Sequence, residues 1–434
     1  MGRNSQQRRA EKLAQRQVRD GGAEGPRSGA SARNVEEVLR EAALVARLRA
    51  GRAIEILLDD LAARPRRGTA KAIGALLDAD VAQAWSRGWQ PADLARLADR
   101  RLDGRAVRLV GWSIASEAAS YEHLGRRVAP DWMAQLAEMG AVRDWDPEHP
   151  YLVQSANAWR DALAAAVHVH AMLHWLPALP CLVPPPRDWR IGQVHRESSL
   201  PRALLDKVRA LLAKAESTTF EAEAEAFTAK AQELMARHRI DRAVLDAHSG
   251  THDEAVGRRM WIDNPYADPK FVLLAQIGRA NGCRAVFEKD LGFATVFGFD
   301  DELDGVDELF TSLLVQATAA LNRAGSKHDA HGRSRTARFR RSFLLSFAYR
   351  IGERLTETVD ATVAAASAET GTELVPLLRA RTEAAEAALD ATFDASQLRS
   401  MRLSASDGEG WTAGRVFADQ ADLSVAAPIA RESA

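Results

Sequence analysis

Several absences narrow what this chain of 434 residues can be. It has two cysteines, Cys181 and Cys283, too few for a disulfide framework or a four-thiolate zinc site, so a reducing cytoplasm is expected. It has no excess of either charge. The 58 basic and 59 acidic residues leave a net charge of −1, which excludes a protein that coats nucleic acid over its whole surface but leaves room for local basic patches. Its first residues, MGRNSQQRRAEKLAQRQVRD, lack an apolar core and so form no secretory signal. A membrane span is also excluded. Ala162 to Pro186 carries no formal charge, but Pro177 and Pro180 break it before Pro184–Pro186, so it reads as a buried helix running into a proline-rich linker. The motifs GxxxxGK[ST], GxSxG and HExxH are missing, as is a GxGxxG following a strand. No cofactor is therefore expected, and no covalent mechanism is specified.

What is present is enough apolar residue, 46%, to build a real core, and a length that allows two to four domains at about 100–200 residues each. Residues 1–34 carry eight Arg or Lys against three acids, a net +5, with almost no large apolar residues, so this tail is expected to be disordered. Residues 35–180 repeat apolar positions every three or four and predict an all-α domain. Pro91 and Pro130 suit the first turns of their helices. A proline-rich linker follows at 181–199, and two helices at 200–248. Strand-like segments first appear beyond Arg258: RRMWI, CRAVFEKD and FATVFGFD, the last two joined across Leu291-Gly292. With the helix closed by Gly282 and the long helix after Asp300, they predict a β-α-β-β-α unit. Long helices over 335–366 and 374–393 complete a 255–425 α+β domain, and 426–434 is expected to be a disordered end. The expected fold class is predominantly α: an all-α domain, a helical hairpin, and a small α+β domain with a three-stranded sheet and long C-terminal helices.

Residues 205–241 read LDKVRALLAKAESTTFEAEAEAFTAKAQELMARHRID. Leu205, Val208, Leu212 and Ala215 share one face of the first helix, and Phe220, Ala224, Phe227, Ala231, Leu234 and His238 one face of the second. Thr218 with Glu221 fits a capping box. The KVRALLAKAEST stretch, Glu223-Ala224 with Glu225-Ala226, and Lys230 to Met235 ending at His238 and Ile240-Asp241 closely resemble the family catalogued as domain of unknown function 2786, found in bacterial and phage proteins. Gly88 to Pro91 and Gly410 to Leu423 resemble flanks of its longer actinobacterial members. The resemblance implies a fold module and assigns no activity or catalytic residue.

Four clusters carry the chemistry worth weighing. Glu216, Glu221, Glu223 and Glu225 surround the turn between the two helices, where the helix dipole accounts for acids without catalysis. His168, His170 and His174 form HVHAMLH. His170 and His174 share a helical face at zinc-ligand spacing, but no third ligand is near in sequence, so histidines lining a helix contact or a cavity are expected and no metal site is assigned. Asp300, Asp301, Glu302, Asp304, Asp307 and Glu308 read as a solvated acidic helix start with Asp300 or Asp301 as N-cap.

The fourth cluster is basic: Lys327, Arg333, Arg335, Arg338, Arg340 and Arg341, with His328 and His331 in the same loop. Phe339, Phe343, Phe347 and Ile351 mark a buried face, and Ser334 is a fair N-cap. Arginines at a helix N-terminus oppose the macrodipole unless an anion or carboxylate joins them, so this loop suits phosphate or nucleic acid. The alternatives are pairing with the acids of Asp301–Glu308, and simple solvation. Three functions follow, in order: nucleic-acid or phosphate binding through this loop and the basic tail, with Phe287, Phe293 or Phe297 available as an aromatic platform although such strand aromatics are more often core; a metal-dependent hydrolase or nuclease using acids of the module with His328 or His331; and a scaffold whose all-α region docks a protein partner.

Overall fold

The computed structural model describes residues 33–48, 50–123, 130–139, 151–154, 159–188, 201–218, 220–249, 254–394, 396, 398 and 403–420. The expected disordered tail, up to residue 32, and the end at 426–434 lie outside them. The chain divides into two compact units, Met1–His195 and Arg196–Ala434.

The first unit is helical: α1 (Val35–Arg47), α2 (Gly51–Ala62), α3 (Arg66–Ser86), α4 (Pro91–Arg101), α5 (Gly104–His123), α6 (Pro130–Glu138), α7 (Tyr151–Gln154) and α8 (Trp159–His174). Their starts are set by local chemistry. Asn34 accepts the Glu37 N–H at 2.8 Å while Glu37 accepts the Asn34 N–H at 3.0 Å, a capping box that covers two orphan amides of α1. Pro91 and Pro130 each open a helix, where a missing N–H costs nothing. Leu39, Leu61, Ile73, Leu77, Trp85 and Leu94 fill the core, and α8 buries Leu163, Val167, His170 and Leu173 against it.

The chargeless stretch therefore splits in two. Helix α8 ends at His174, and the rest is irregular chain held down by polar contacts. Arg87 donates to the carbonyls of His174 and Leu176, each at 3.0 Å, and the Trp89 indole N–H to that of Pro177 at 2.9 Å. Among the described residues, no helix is long and apolar enough to cross a membrane.

The second unit runs α9 (Arg202–Ser217), α10 (Glu221–Ser249), β1 (Val256–Trp261), α11 (Ala267–Ala280), β2 (Arg284–Glu288), β3 (Phe293–Gly298), α12 (Asp300–Ala324), α13 (Thr336–Thr370), α14 (Val375–Thr392) and α15 (Gly408–Gln420). The three strands form one antiparallel sheet in the order β1-β3-β2, with Arg259 and Val286 both in register with Thr295. Alternation sends Met260, Ala294 and Val296 into a core shared with Leu273 and Ile277 of α11, Val208 and Leu212 of α9, and Met235 of α10. Phe339, Phe343, Phe347 and Ile351 enter the same core from α13, as their four-residue spacing predicts. The strand aromatics take the commoner of their two expected places, the core, and form no surface platform among the described residues. Phe293 and Phe297 are fully buried, and Phe287 stacks on Phe271 with ring centroids 4.8 Å apart.

Helix α15 lies on α13 through its glycines. A Cβ at Gly410 would collide with the Phe339 carbonyl oxygen, and one at Gly414 with that of Phe343. Both obstacles are backbone and cannot rotate away. Gly414→Ala should therefore cost about 1–3 kcal/mol in urea unfolding, the range for overpacking. Gly408→Ala, with nothing within 4 Å of the added carbon, should leave the midpoint nearly unchanged.

Candidate functional site

The basic loop is a tight turn closed by an isolated β-bridge between His328 and Ser334. The Asp329 carboxylate accepts the N–H groups of His331 and Arg333, each at 2.9 Å, and these bonds hold it below the usual carboxylate range. Ser334 is not the N-cap. That position falls to Arg335, and Thr336 instead ties the two ends of the loop by bonding both the N–H and the carbonyl of Lys327.

Of the six predicted cations, three have carboxylate partners, two of them tightly. Arg335 Nη1 donates to both Asp407 oxygens, at 2.9 and 2.7 Å, and Nη2 reaches Glu409. Lys327 donates to Glu409 at 2.8 Å and lies over the Phe339 ring. Burial pushes the Asp407 carboxyl up, but the Gly410 N–H and Arg335 more than offset this, and its pKa is lowered. Lys327 and Arg335 likewise lower Glu409. Arg341 sits 3.8 Å from Asp268, which Lys289 already contacts at 2.8 Å, so one carboxylate serves two cations. Arg333 and Arg338 are exposed and make no direct ion pair among the described residues, although Arg338 is near enough to help lower Asp329 and Asp407. Arg340 is half-buried with its Nε shielded and unpaired.

Among the described residues the ion pairs of Asp301–Glu308 go to other parts of the chain, and Asp301 and Glu302 are not a solvated helix start. Asp301 and Glu302 are each 5% exposed. The Arg381 guanidinium spans Glu302 at 3.0 Å, Asp246 at 2.8 Å and Asp301 at 3.2 Å, with its face 3.7 Å from the Phe299 ring centroid. Arg239 donates to the same Glu302 oxygen at 2.9 Å. Asp300 and Asp304 pair with Arg258, and Glu308 with Arg209. The N-cap is Phe299 rather than an aspartate, and its N–H goes to Glu302 at 3.2 Å. Burial pushes Asp301 up, but His238 and Arg381 beside it win and hold it below the usual range. Cys283, 4.0 Å from Glu302, has its thiol pushed well up, by burial first, which makes it a poor nucleophile.

This network draws on α10, and so reshapes the face predicted for it. Ala231, Gln232, Met235, Arg239, Ile240 and Ala243 are buried, Leu234 and His238 are only half-buried, and Phe220 is 68% exposed. Thr218 bonds Glu223 at 2.7 Å and accepts the Phe220 N–H; the Glu221 side chain of the expected capping box lies outside the described ones. Among the described residues, the module's acids form no three-group cluster with His328 or His331.

One such cluster does exist, in the first unit. Asp80 of α3 meets His170 and His174 of α8, with one ligand atom of each lying within 4.8 Å of the others. The third donor that HVHAMLH lacked comes from ninety residues earlier in the chain. His168 points to solvent, as its helical position predicts.

Comparison with known proteins adds one match. Residues 203–242 fit the family model described as "Protein of unknown function (DUF2786)", so α9 and most of α10 carry that module. No curated protein and no solved structure matches the chain.

The buried network yields a stability test. Arg381→Leu strips three buried carboxylates of a shared partner and should cost about 3–5 kcal/mol, the range for breaking a buried ion pair. Urea unfolding of this variant beside the exposed Arg333→Ala, which should unfold like the parent, checks it.

Proposed function

We propose that the protein binds nucleic acid through its phosphates, at the basic turn before α13. One observation carries the reading: at a helix N-terminus, where the macrodipole makes a weakly neutralised cation unfavourable, Arg333 and Arg338 stand exposed without a direct ion pair among the described residues, and Arg338 meets Asp329 and Asp407 only through space. A phosphate group answers that imbalance, since the same helix end offers N–H donors and arginine binds phosphate in a two-pronged fork. Arg340 and Arg341 extend the basic strip, and the net +5 of residues 1–34 adds a second basic segment. Lys327 and Arg335 leave the proposed contact set, because Asp407 and Glu409 already hold them. Both cysteines are free, which suits a reducing cytoplasm.

Fluorescence anisotropy with short single- and double-stranded RNA and DNA, at several salt concentrations, tests this. The full chain should bind with a steep loss of affinity as salt rises. The triple variant Arg333→Ala, Arg338→Ala, Arg340→Ala should lower the salt slope by about 3, roughly one for each arginine taken off a phosphate. Salt-independent binding, an unchanged slope in the triple variant, or loss of binding only on deleting residues 1–34 would each refute the assignment to this turn.

A further inference from the structure

The geometry points to a divalent transition-metal site, zinc foremost, formed by Asp80, His170 and His174 at the edge of a cavity in the first unit. Three observations carry the proposal.

The first is the donor set. Two imidazoles and one carboxylate form the three-ligand pattern that leaves a fourth position open on a zinc ion. The residues come from two packed helices. His170 and His174 are one turn apart on α8, and Asp80 faces both from α3.

The second is spacing. An ion held at zinc–ligand lengths of about 2.0–2.1 Å needs its donor atoms roughly 3.3 Å apart. His170 Nδ1 lies 2.5 Å from one Asp80 oxygen, and His174 Nδ1 lies 4.0 Å from the other. Those separations bracket the requirement, and one donor atom of each residue lies within 4.8 Å of the others, so side-chain shifts of about 1–1.5 Å bring the set to bonding distance.

The third is the surroundings. Asp80 and His170 are buried, so an ion would be shielded on one side, while the His174 side chain is 42% exposed. Asp80 and His174 both line a cavity of roughly 630 Å³, together with Glu36, Arg40, Gln83 and Tyr121. That volume lies in the range of small-molecule sites, about 300–1,000 Å³. The open coordination position therefore faces a space large enough for water or a small polar ligand. His174 is the last residue of α8, where carbonyl dipoles favour a cation, and Arg87 fixes its backbone carbonyl. Behind the cluster, Glu117 takes the Trp85 indole N–H at 2.8 Å and the Tyr121 hydroxyl, which holds the cavity wall in place.

The test is metal stoichiometry on the full chain without a histidine tag. Inductively coupled plasma mass spectrometry after a chelator wash and zinc reloading gives the content, and cobalt(II) reports geometry through its d–d absorption. One equivalent is expected, with the intense bands of a four-coordinate cobalt site. Removing an outer-sphere partner alone weakens metal sites by about 10–100-fold, so loss of a direct ligand in His174→Ala or Asp80→Asn should weaken zinc by at least ~100-fold. His168→Ala, on the exposed side of the same helix, should bind like the parent. Unchanged thermal melts of the metal-free variants separate lost ligation from lost folding. Should Asp80→Asn fail that control, the half-exposed His174→Ala decides. Absence of stoichiometric metal in the parent, or a full equivalent retained in His174→Ala, would overturn the assignment.

Discussion

Glu302 is the residue on which the second unit turns. Its carboxylate receives two guanidinium groups, Arg239 from α10 and Arg381 from α14, and it also accepts the Phe299 N–H at the start of α12. Three helices and the end of β3 are thereby fixed to one buried charge. Such a charge is tolerable only because its desolvation is offset by hydrogen bonds on both oxygens and by the positive end of the α12 dipole. Arg381 extends the arrangement to Asp246 and Asp301, so no member of the group can be taken away without leaving another charge in an apolar surround. The recognised module is thus more than a pair of amphipathic helices. Its second helix brings His238 and Arg239 to the start of α12, and its apolar residues share the core of the sheet.

The start of α13 solves the opposite problem, an excess of cations where the dipole wants anions. The solution for two of them is a second helix start. Asp407 and Glu409 stand at the beginning of α15, where acids are favoured in any case, and from there they reach Arg335 and Lys327. Gly410 and Gly414 allow the close crossing that makes this reach short. Asp407 also accepts the Gly410 N–H, so it caps its own helix while neutralising its neighbour's. Arg333 falls outside this compensation, and Arg338 shares in it only at a distance, through Asp407.

The local signals in the sequence were enough for the elements. Apolar spacing of three and four marked the helices, and alternation with a Leu291-Gly292 break marked the β2–β3 pair. The four-residue run from Phe339 to Ile351 located a buried face correctly, because core burial follows directly from helical period. Partners distant along the chain left no such mark. Asp80 meets His170 only because α3 packs on α8, and nothing in either segment names the other. Asp301 and Glu302 looked like an exposed acidic turn, since the dipole alone explains acids there. Their guanidinium partners arrive from 60 to 80 residues away. Arg239 and Phe220 exchanged the roles their polarity suggests, because an ion network buried the arginine and the turn left the phenylalanine outside.

These clusters also show why composition is a poor guide to which charges act and which hold. A charge removed from water must be paired, so a complete set of partners is what a structural role requires. Glu302 and Arg381 meet that standard, and so do Arg335 and Lys327; Asp301 has Arg381 on one oxygen and only the nearby His238 ring beside the other. The remaining groups fail it in two different ways. Arg333 and Arg338 are exposed and lack a direct ion pair among the described residues, which suits a partner that arrives from solution and carries its own negative charge. Asp80 and His170 are buried and bonded to each other, yet His174 sits at the rim of a cavity with a nitrogen within 4.0 Å of the same carboxylate. A purely structural Asp–His pair has no use for that second imidazole, whereas a bound cation does.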